Sequence, residues 1–295
     1  MFVKNGLQQK RLLVATLALI LIFCGAVSLA IADDSQNRWV LLSDTHIPGE
    51  YELERHKVKP NHHLAQARGE ILALDYKPDG IIIMGDTVYL TGQVEDYKTL
   101  AGQLKPFSEA EIPVYPLLGN HDHYENFKVN LEKYAFKTPV EGKQVTVIET
   151  PNANWFLLDS LEKTNSTPGL LGDAQIQWLA EELDKRPDKP AIIAAHHNVE
   201  EKRNDLKDHE KFWAVVKPRK QVKAYLFGHT HVYQASVYDD VHMINLPAMG
   251  WRFDDKQPLG WSEATIKADG LELKLHTLGK EHPKNNDVRK FEWLR

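Results

Sequence analysis

Five short apolar runs in this chain stop at the same kind of residue. RWVLLS is followed by Asp44, GIIIMG by Asp86, VYPLLG by Asn120, AIIAA by His196 and AYLFG by His229. Each run is β-forming and lacks polar alternation, the pattern of a strand buried on both faces. Each is followed at once by a group able to bind a metal ion. Strands lying side by side would bring the five ends to one sheet edge. In α/β sheets the carboxyl edge is where ligands bind.

The segments between these runs read as helices. Asn61–Tyr76 carries Leu64, Ala67, Ile71 and Leu74 at helical spacing, and Val94–Leu104 reads the same way. In TPGLLGDAQIQWLAEELDKRP, Asp173 is the expected N-cap, and Ile176, Leu179 and Leu183 form a stripe ending before Pro187. KQVTVIETPNANWFLLDS reads as two further strands. Past residue 230 the pattern becomes antiparallel hairpins turning at Asp239-Asp240 and Asp269-Gly270. The last fifteen or so residues are polar and are expected to wander over the surface. The expected fold is α/β: two packed mixed β-sheets flanked by helices in a four-layer α/β/β/α sandwich, one domain over residues 33–295.

The N-terminus reads as an address rather than as fold. Lys4, Lys10 and Arg11 precede an apolar run, and Ala30-Ile31-Ala32 stands before Asp33-Asp34. A basic start, an apolar stretch and an A-x-A site make a secretory signal peptide over residues 1–32. The run is long for such a peptide, so an uncleaved membrane anchor over residues 12–32 is the alternative. The expected location is exported, periplasmic or extracellular, with membrane contact only through this segment. Its removal takes away three positive charges and no negative one from a formal net charge of −5, and it takes away the single cysteine, Cys24. The remaining chain has no thiolate ligand and no disulfide. It is acidic and has no basic stripe, which argues against nucleic acid as a partner.

The polar groups at the strand ends form patterns. Residues two apart on an extended chain point the same way, so Asp44 and His46 can reach one ion while Thr45 turns aside. The same reasoning applies to His229 and His231. Asp86 follows Gly85, which allows a sharp turn, and its two oxygens can touch two ions. His196 and His197 are adjacent, so on an extended segment only one should reach the site.

D-x-H, G-D, G-N-H-D, a strand ending in His, and G-H-x-H, in that order, resemble the calcineurin-like metallophosphoesterases over roughly residues 38–250. The stretch FLLDS…PGLLGDAQIQWLAEEL is similar to the exported, cyclic-nucleotide and glycerophosphodiesterase branch. The resemblance implies two divalent or transition metal ions, Mn, Fe, Zn, Co or Ni. Asp44, His46, Asp86 and His231 would hold one. Asp86, Asn120, His196 and His229 would hold the other, with Asp86 bridging. A metal-bridging hydroxide would then attack the phosphorus of a small phosphate ester. By the same resemblance His121, pointing away from the ion, is the general acid, and Asp122 holds its imidazole. His197 is left at the substrate or behind the ligands. Substrate contacts are expected from His123 and Trp251 as well.

Each residue has a plainer reading. Taken singly, a polar group at a strand end is turn chemistry and a lone histidine is a surface or core residue. Five motifs in one order outweigh that. Tyr89 completes a G-D-x-x-Y pattern of purple acid phosphatases, but His46 already supplies a ligand, so Tyr89 reads as packing. Trp251, Arg252 and Phe253 read equally well as core or as pocket wall. A phosphodiester is the preferred substrate. A phosphomonoesterase, or a binding protein of this fold without turnover, are the alternatives. Loops 47–60, 121–130, 199–212 and 250–260 are expected to shape the pocket.

Overall fold

The computed structural model describes residues 37–199 and 205–295. The expected export segment, residues 1–32, lies outside the described residues, as do positions 200–204 of the expected pocket loop. In chain order the elements are β1 (Asn37–Leu42), α1 (Pro60–Leu72), β2 (Gly80–Ile83), α2 (Val94–Glu109), β3 (Val114–Pro116) and α3 (Tyr124–Asn130). They continue with β4 (Thr146–Glu149), β5 (Asn154–Leu157), α4 (Asp173–Asp184), β6 (Ala191–Ala194), α5 (His209–Val216) and β7 (Val222–Phe227). The chain closes with β8 (Gln234–Tyr238), β9 (Val241–Asn245), β10 (Gly260–Lys267), β11 (Gly270–Thr277) and β12 (Val288–Glu292).

Two six-stranded mixed sheets result, in the orders β12-β11-β10-β1-β2-β3 and β4-β5-β6-β7-β9-β8. The strand period of two explains the layering. On β1, Trp39 and Leu41 face the second sheet, where they meet Trp155, Leu157, Ile192 and Leu226. Val40 and Leu42 face the other way, against Leu64 and Ile71 of α1 and Tyr97, Leu100 and Leu104 of α2. The outer face of the second sheet packs on Ile176, Leu179 and Leu183 of α4 and Phe212 of α5. The four-layer α/β/β/α order therefore follows from strands that are apolar on both faces. Each large side chain so buried contributes about 1.5–3 kcal/mol.

The first hairpin turns where expected, with Asp239 and Asp240 both at positive φ as a tight hairpin requires; the second turns one residue earlier than expected, at Ala268-Asp269, because Gly270 already pairs with Lys267. Three further details differ from the sequence reading. The five strand ends do not share one sheet edge: β1, β2 and β3 lie in one sheet, and β6 and β7 lie in the other. Their carboxyl ends meet because the two sheets stack in the same sense. Asp173 is the first helical residue of α4 rather than its cap; Gly172 caps, and the Asp208 carboxylate accepts the N–H groups of Leu171 and Gly172. The polar C-terminus does not wander either. β12 pairs with β11, and the Arg295 guanidinium donates to the carbonyls of Val216, Lys217, Arg219, Val222 and Asp239. Among the described residues, no helix is long and apolar enough to cross a membrane.

Candidate metal centre

The loops after β1, β2, β3, β6 and β7 place seven polar side chains in two adjoining groups. In the first, the Nε2 atoms of His46 and His231 lie 3.1 Å apart, and Asp44 Oδ1 lies 3.3 Å from His231 Nε2 and 4.0 Å from His46 Nε2. Asp86 Oδ2 completes this group, 3.9 Å from His46 Nε2. In the second, His196 Nε2 lies 3.3 Å from Asp86 Oδ2, 3.3 Å from Asn120 Oδ1 and 3.2 Å from His229 Nδ1. One carboxylate oxygen, Asp86 Oδ2, belongs to both groups.

These spacings fit a cation better than a hydrogen-bonded cluster. Nitrogen and oxygen ligands about 2.0–2.2 Å from one ion lie about 3–3.6 Å from each other, depending on geometry. The atoms converge with lone pairs inward, so there are more acceptors than protons to share. Asp44, His46, His196 and His231 are almost wholly buried, and the Nδ1 atoms of His46 and His231 have no hydrogen-bond partner among the described residues. The donor set therefore fits divalent metal, and its nitrogen and oxygen ligands without sulfur suit Mn, Fe, Zn, Co or Ni.

Electrostatics point the same way. Burial drives His46 down to about 3, and burial with the charge of His196 drives His229 down to about 4. Burial also opposes charge on His196, but the carboxylates of Asp86 and Asp44 raise it to about 9. Burial would raise Asp44 and Asp86 too. The charge and hydrogen bond of His231 hold Asp44 below its ordinary value, and those of His196 do so for Asp86. Two carboxylates in a dry site call for positive charge, and a proton on one imidazole supplies it when nothing else does.

The local backbone explains the convergence. Asp44, His46, Asp86, His229 and His231 all sit at positive φ, between 45° and 66°. The chain is not extended there, so the alternation argument does not describe it. Asp44 and His46 share a group, as expected, but His229 and His231 face different ones. Gly85, at φ 82°, makes the turn before Asp86. Gly119 and Gly228 serve by lacking a side chain: a Cβ on Gly119 would strike Asp86, and one on Gly228 would strike Ser43 and Asp44.

Several expected roles change. His197 does not turn to the opposite side from His196; the two rings meet edge to face at 4.9 Å, and the His197 nitrogens belong with those of His196 and His229. It is fully buried, its Nδ1 pairs with Ser160 Oγ at 2.8 Å, and it does not line the cavity, so of its two expected places it takes the one behind the converging side chains and not the one at the substrate. Asp122 does not hold the imidazole of His121. Its carboxylate is buried and accepts from Gly119 N, Thr87 N, Thr87 Oγ1 and Tyr97 Oη, fixing the turn rather than the acid. Burial and the Asp86 charge raise it to about 6. The partner of His121 is the Leu90 carbonyl, 2.6 Å from Nδ1, on a residue itself at positive φ. His121 does not point away from the groups either, since its Nε2 lies 3.9 Å from Asp86 Oδ2. His123 caps α3, its Nδ1 accepting from Asn126 N, and is not a pocket residue. Tyr89 meets Trp251 edge to face at 5.9 Å.

Above the two groups lies a cavity of about 590 Å³. Trp251 lines it as expected, stacked on His46 with centroids 3.8 Å apart. Phe253 forms the rest of that wall. Much of the remaining lining is polar: Asn165, Thr167, Asn198 and Asp205. These four carry no motif, and the loop bearing Asn165 and Thr167 was not among the expected pocket loops. It is tied to the GNHD turn by Asn165 N–H to the Asn120 carbonyl, and by Thr164 Oγ1 to the Asp122 carbonyl.

Comparison with known proteins agrees with this geometry. Residues 38–233 match the model of the calcineurin-like phosphoesterase family. The chain is 28% identical over 209 residues to a probable glycerophosphodiester phosphodiesterase of Arcobacter nitrofigilis, covering 68% of this chain and 74% of that one. It is 26% identical over 247 residues to a 3′,5′-cyclic adenosine monophosphate phosphodiesterase of Haemophilus influenzae, covering 78% and 85%. A dimetal phosphatase from Danio rerio shares the fold with a TM-score of 0.67 at 14% identity, over 87% of this chain and 98% of that one. The chain belongs to the calcineurin-like phosphoesterase family and is a metal-dependent phosphoesterase.

Proposed function

We propose that this protein hydrolyses phosphodiesters at a centre of two metal ions, and that it acts after export. The observation carrying the reading is the single oxygen of Asp86 shared by two groups of ligand atoms. Asp44, His46, His231 and Asp86 would hold one ion, and Asp86, Asn120, His196 and His229 the other. When bound, such a pair neutralises phosphoryl charge and lowers the pKa of water near phosphorus.

The rest of the chemistry belongs to the chain. The Leu90 carbonyl is an acceptor only, so His121 Nδ1 must carry a proton, and Nε2 is left to face the cavity. In the imidazolium form Nε2 carries a second proton and gives it to the leaving oxygen, which leaves a neutral ring with its proton on Nδ1. A general acid of this kind contributes about 10²–10⁴ in rate. Asp86 Oδ1 accepts the His121 backbone N–H at 2.8 Å, which ties the acid to the ligand turn. Trp251, stacked on His46, keeps water off that side of the centre.

The preference for diesters rests on the names of the relatives and on the cavity. Its volume and its mixed aromatic and polar lining suit an ester with two arms better than a bare monoester. The test is hydrolysis of bis-p-nitrophenyl phosphate against p-nitrophenyl phosphate by the Mn²⁺-loaded protein. Faster turnover of the diester is expected, with loss of activity after chelation. A preference for the monoester would replace this reading with a phosphatase, and no turnover with any divalent ion would end it. N-terminal sequencing of the exported protein tests the export segment, with Asp33 expected as the first residue.

A further inference from the structure

Phe253 is a large apolar residue left 71% exposed beside a polar centre. A scattered surface phenylalanine needs no explanation, but this one is neither scattered nor loose. Its ring lies stacked on His231, centroids 4.7 Å apart and planes 22° apart, and it lines the cavity. His56 approaches its edge at 6.0 Å. One face is therefore used against a ligand histidine and the other is open. The loop carrying it is anchored at both ends. Met249 N–H and Gly250 N–H donate to the carbonyls of Ser43 and Asp44, and Gln257 Oε1 accepts from Tyr233 N–H. The Arg252 guanidinium also donates to the Gln257 carbonyl. The ring is thus held in place before any ligand arrives, which lowers the cost of stacking on it.

We propose that Phe253 is a specificity-determining residue: a stacking platform that selects esters whose alcohol carries a planar π-system, an aryl group or a nucleobase. The inference rests on the phosphodiester reading above, and it adds which arm of the ester the protein recognises and where. The cavity is much larger than a phosphoryl group requires, so the alcohol sits inside it, where this ring shares the lining with Asn165 and Asn198. Stacking tolerates any base because every base has a π-face. The platform therefore sorts planar from non-planar alcohols rather than one base from another.

The test compares binding and turnover in Phe253→Ala and Phe253→Trp. Calorimetry of Mn²⁺-loaded protein with AMP and with glycerol 3-phosphate needs no turnover. Phe253→Ala should weaken AMP about tenfold, the scale of one base–aromatic stack, and glycerol 3-phosphate less than twofold. Phe253→Trp should keep AMP at the wild-type level or better. In kinetics Phe253→Ala should raise KM for an aryl or nucleotide diester, leaving kcat and the KM for glycerophosphoethanolamine nearly unchanged, and Phe253→Trp should not raise it. Metal content by mass spectrometry should stay at the wild-type value. Equal weakening of both ligands, or loss of metal, would show that the ring only shields His231 and would overturn the proposal. So would an AMP affinity indifferent to Phe253, or none in the wild type. A wild type that turns over no ester but keeps the AMP preference would sink the phosphodiester reading alone.

Discussion

Two histidine–carboxylate clusters in this molecule look alike by composition and differ in backbone conformation and in how fully their polar atoms are paired. One is the centre at the strand ends. The other lies on the face of the first sheet beneath α1, where the Glu263 carboxylate accepts from His276 Nε2 at 2.5 Å, Tyr76 Oη at 2.5 Å and Lys274 Nζ at 3.2 Å. There His276 stacks flat on Trp261 at 4.0 Å, and Trp261 Nε1 donates to Glu70. Glu263 and His276 sit on β10 and β11, directly paired strands of ordinary backbone. Both Glu263 oxygens have donors, so nothing is left over. At the centre the lone pairs converge without enough protons, ring nitrogens lack partners among the described residues, and five of the seven converging side chains occupy left-handed backbone. Such backbone costs of order 1 kcal/mol per residue and persists where the surroundings enforce it. Saturation marks a structural cluster; unsatisfied convergence on strained turns marks a site that expects a ligand.

Substitutions can break or sharpen this contrast. Asp86→Ala removes the one oxygen common to both ligand groups. It should lower kcat/KM on the order of a thousandfold or more, given the several kcal/mol that metal charge neutralisation supplies, and metal content should fall below half of the wild-type value. Mass spectrometry and diester assays read both. Retained metal with retained rate would remove Asp86 from the centre. His121→Ala comes next. It should cut kcat about 10²–10⁴-fold with metal content unchanged, because Nε2 is the proposed proton donor and is no part of the two proposed ligand sets. Asn120→Ala, one residue away, should do the opposite. It weakens one ion by at least about tenfold in a metal competition assay, and excess metal should restore much of kcat. If the two neighbours gave the same pattern, the division of roles between them would fail.

Much of this is legible in the sequence. Buried strands are short, apolar and unalternating, so β1, β2, β3, β6 and β7 announce themselves, and the residue after each is fixed by where the run ends. Side-chain direction was not legible. The alternation rule assumes extended backbone, and Asp44, His46, His229 and His231 are left-handed. His123 and Asp122 differ from expectation for a related reason: both sit in a polar stretch where sequence cannot tell a group that faces the cavity from one that ties the turn. Asp122 ties the turn and His123 caps a helix. The support for His121 comes from a backbone carbonyl, which carries no residue signature at all. Asn165, Thr167, Asn198 and Asp205 reach the cavity through tertiary packing of loops without periodicity. The terminal strand β12 was hidden because its buried face is a single residue, Phe291, among polar neighbours.

The structural cluster gives the smallest effect and the cleanest sign. Hydrogen bonds from His276, Tyr76 and Lys274 hold the Glu263 carboxyl down at about 2 in the folded protein, against burial that pushes the other way. A depressed carboxyl stabilises the fold above its ordinary value, near 4.5, and loses that contribution as pH falls from there through about 2. Glu263→Gln should therefore cost about 1–2 kcal/mol at pH 7, once the partial exposure of the site is allowed for, and progressively less below pH 4. Urea denaturation of both proteins at pH 7 and at pH 3 measures the gap. Diester turnover at pH 7 should not change, because nothing in this cluster touches the cavity. A fall in kcat without a fall in stability would mean that the two clusters are coupled, and that saturation does not separate structure from chemistry in this fold.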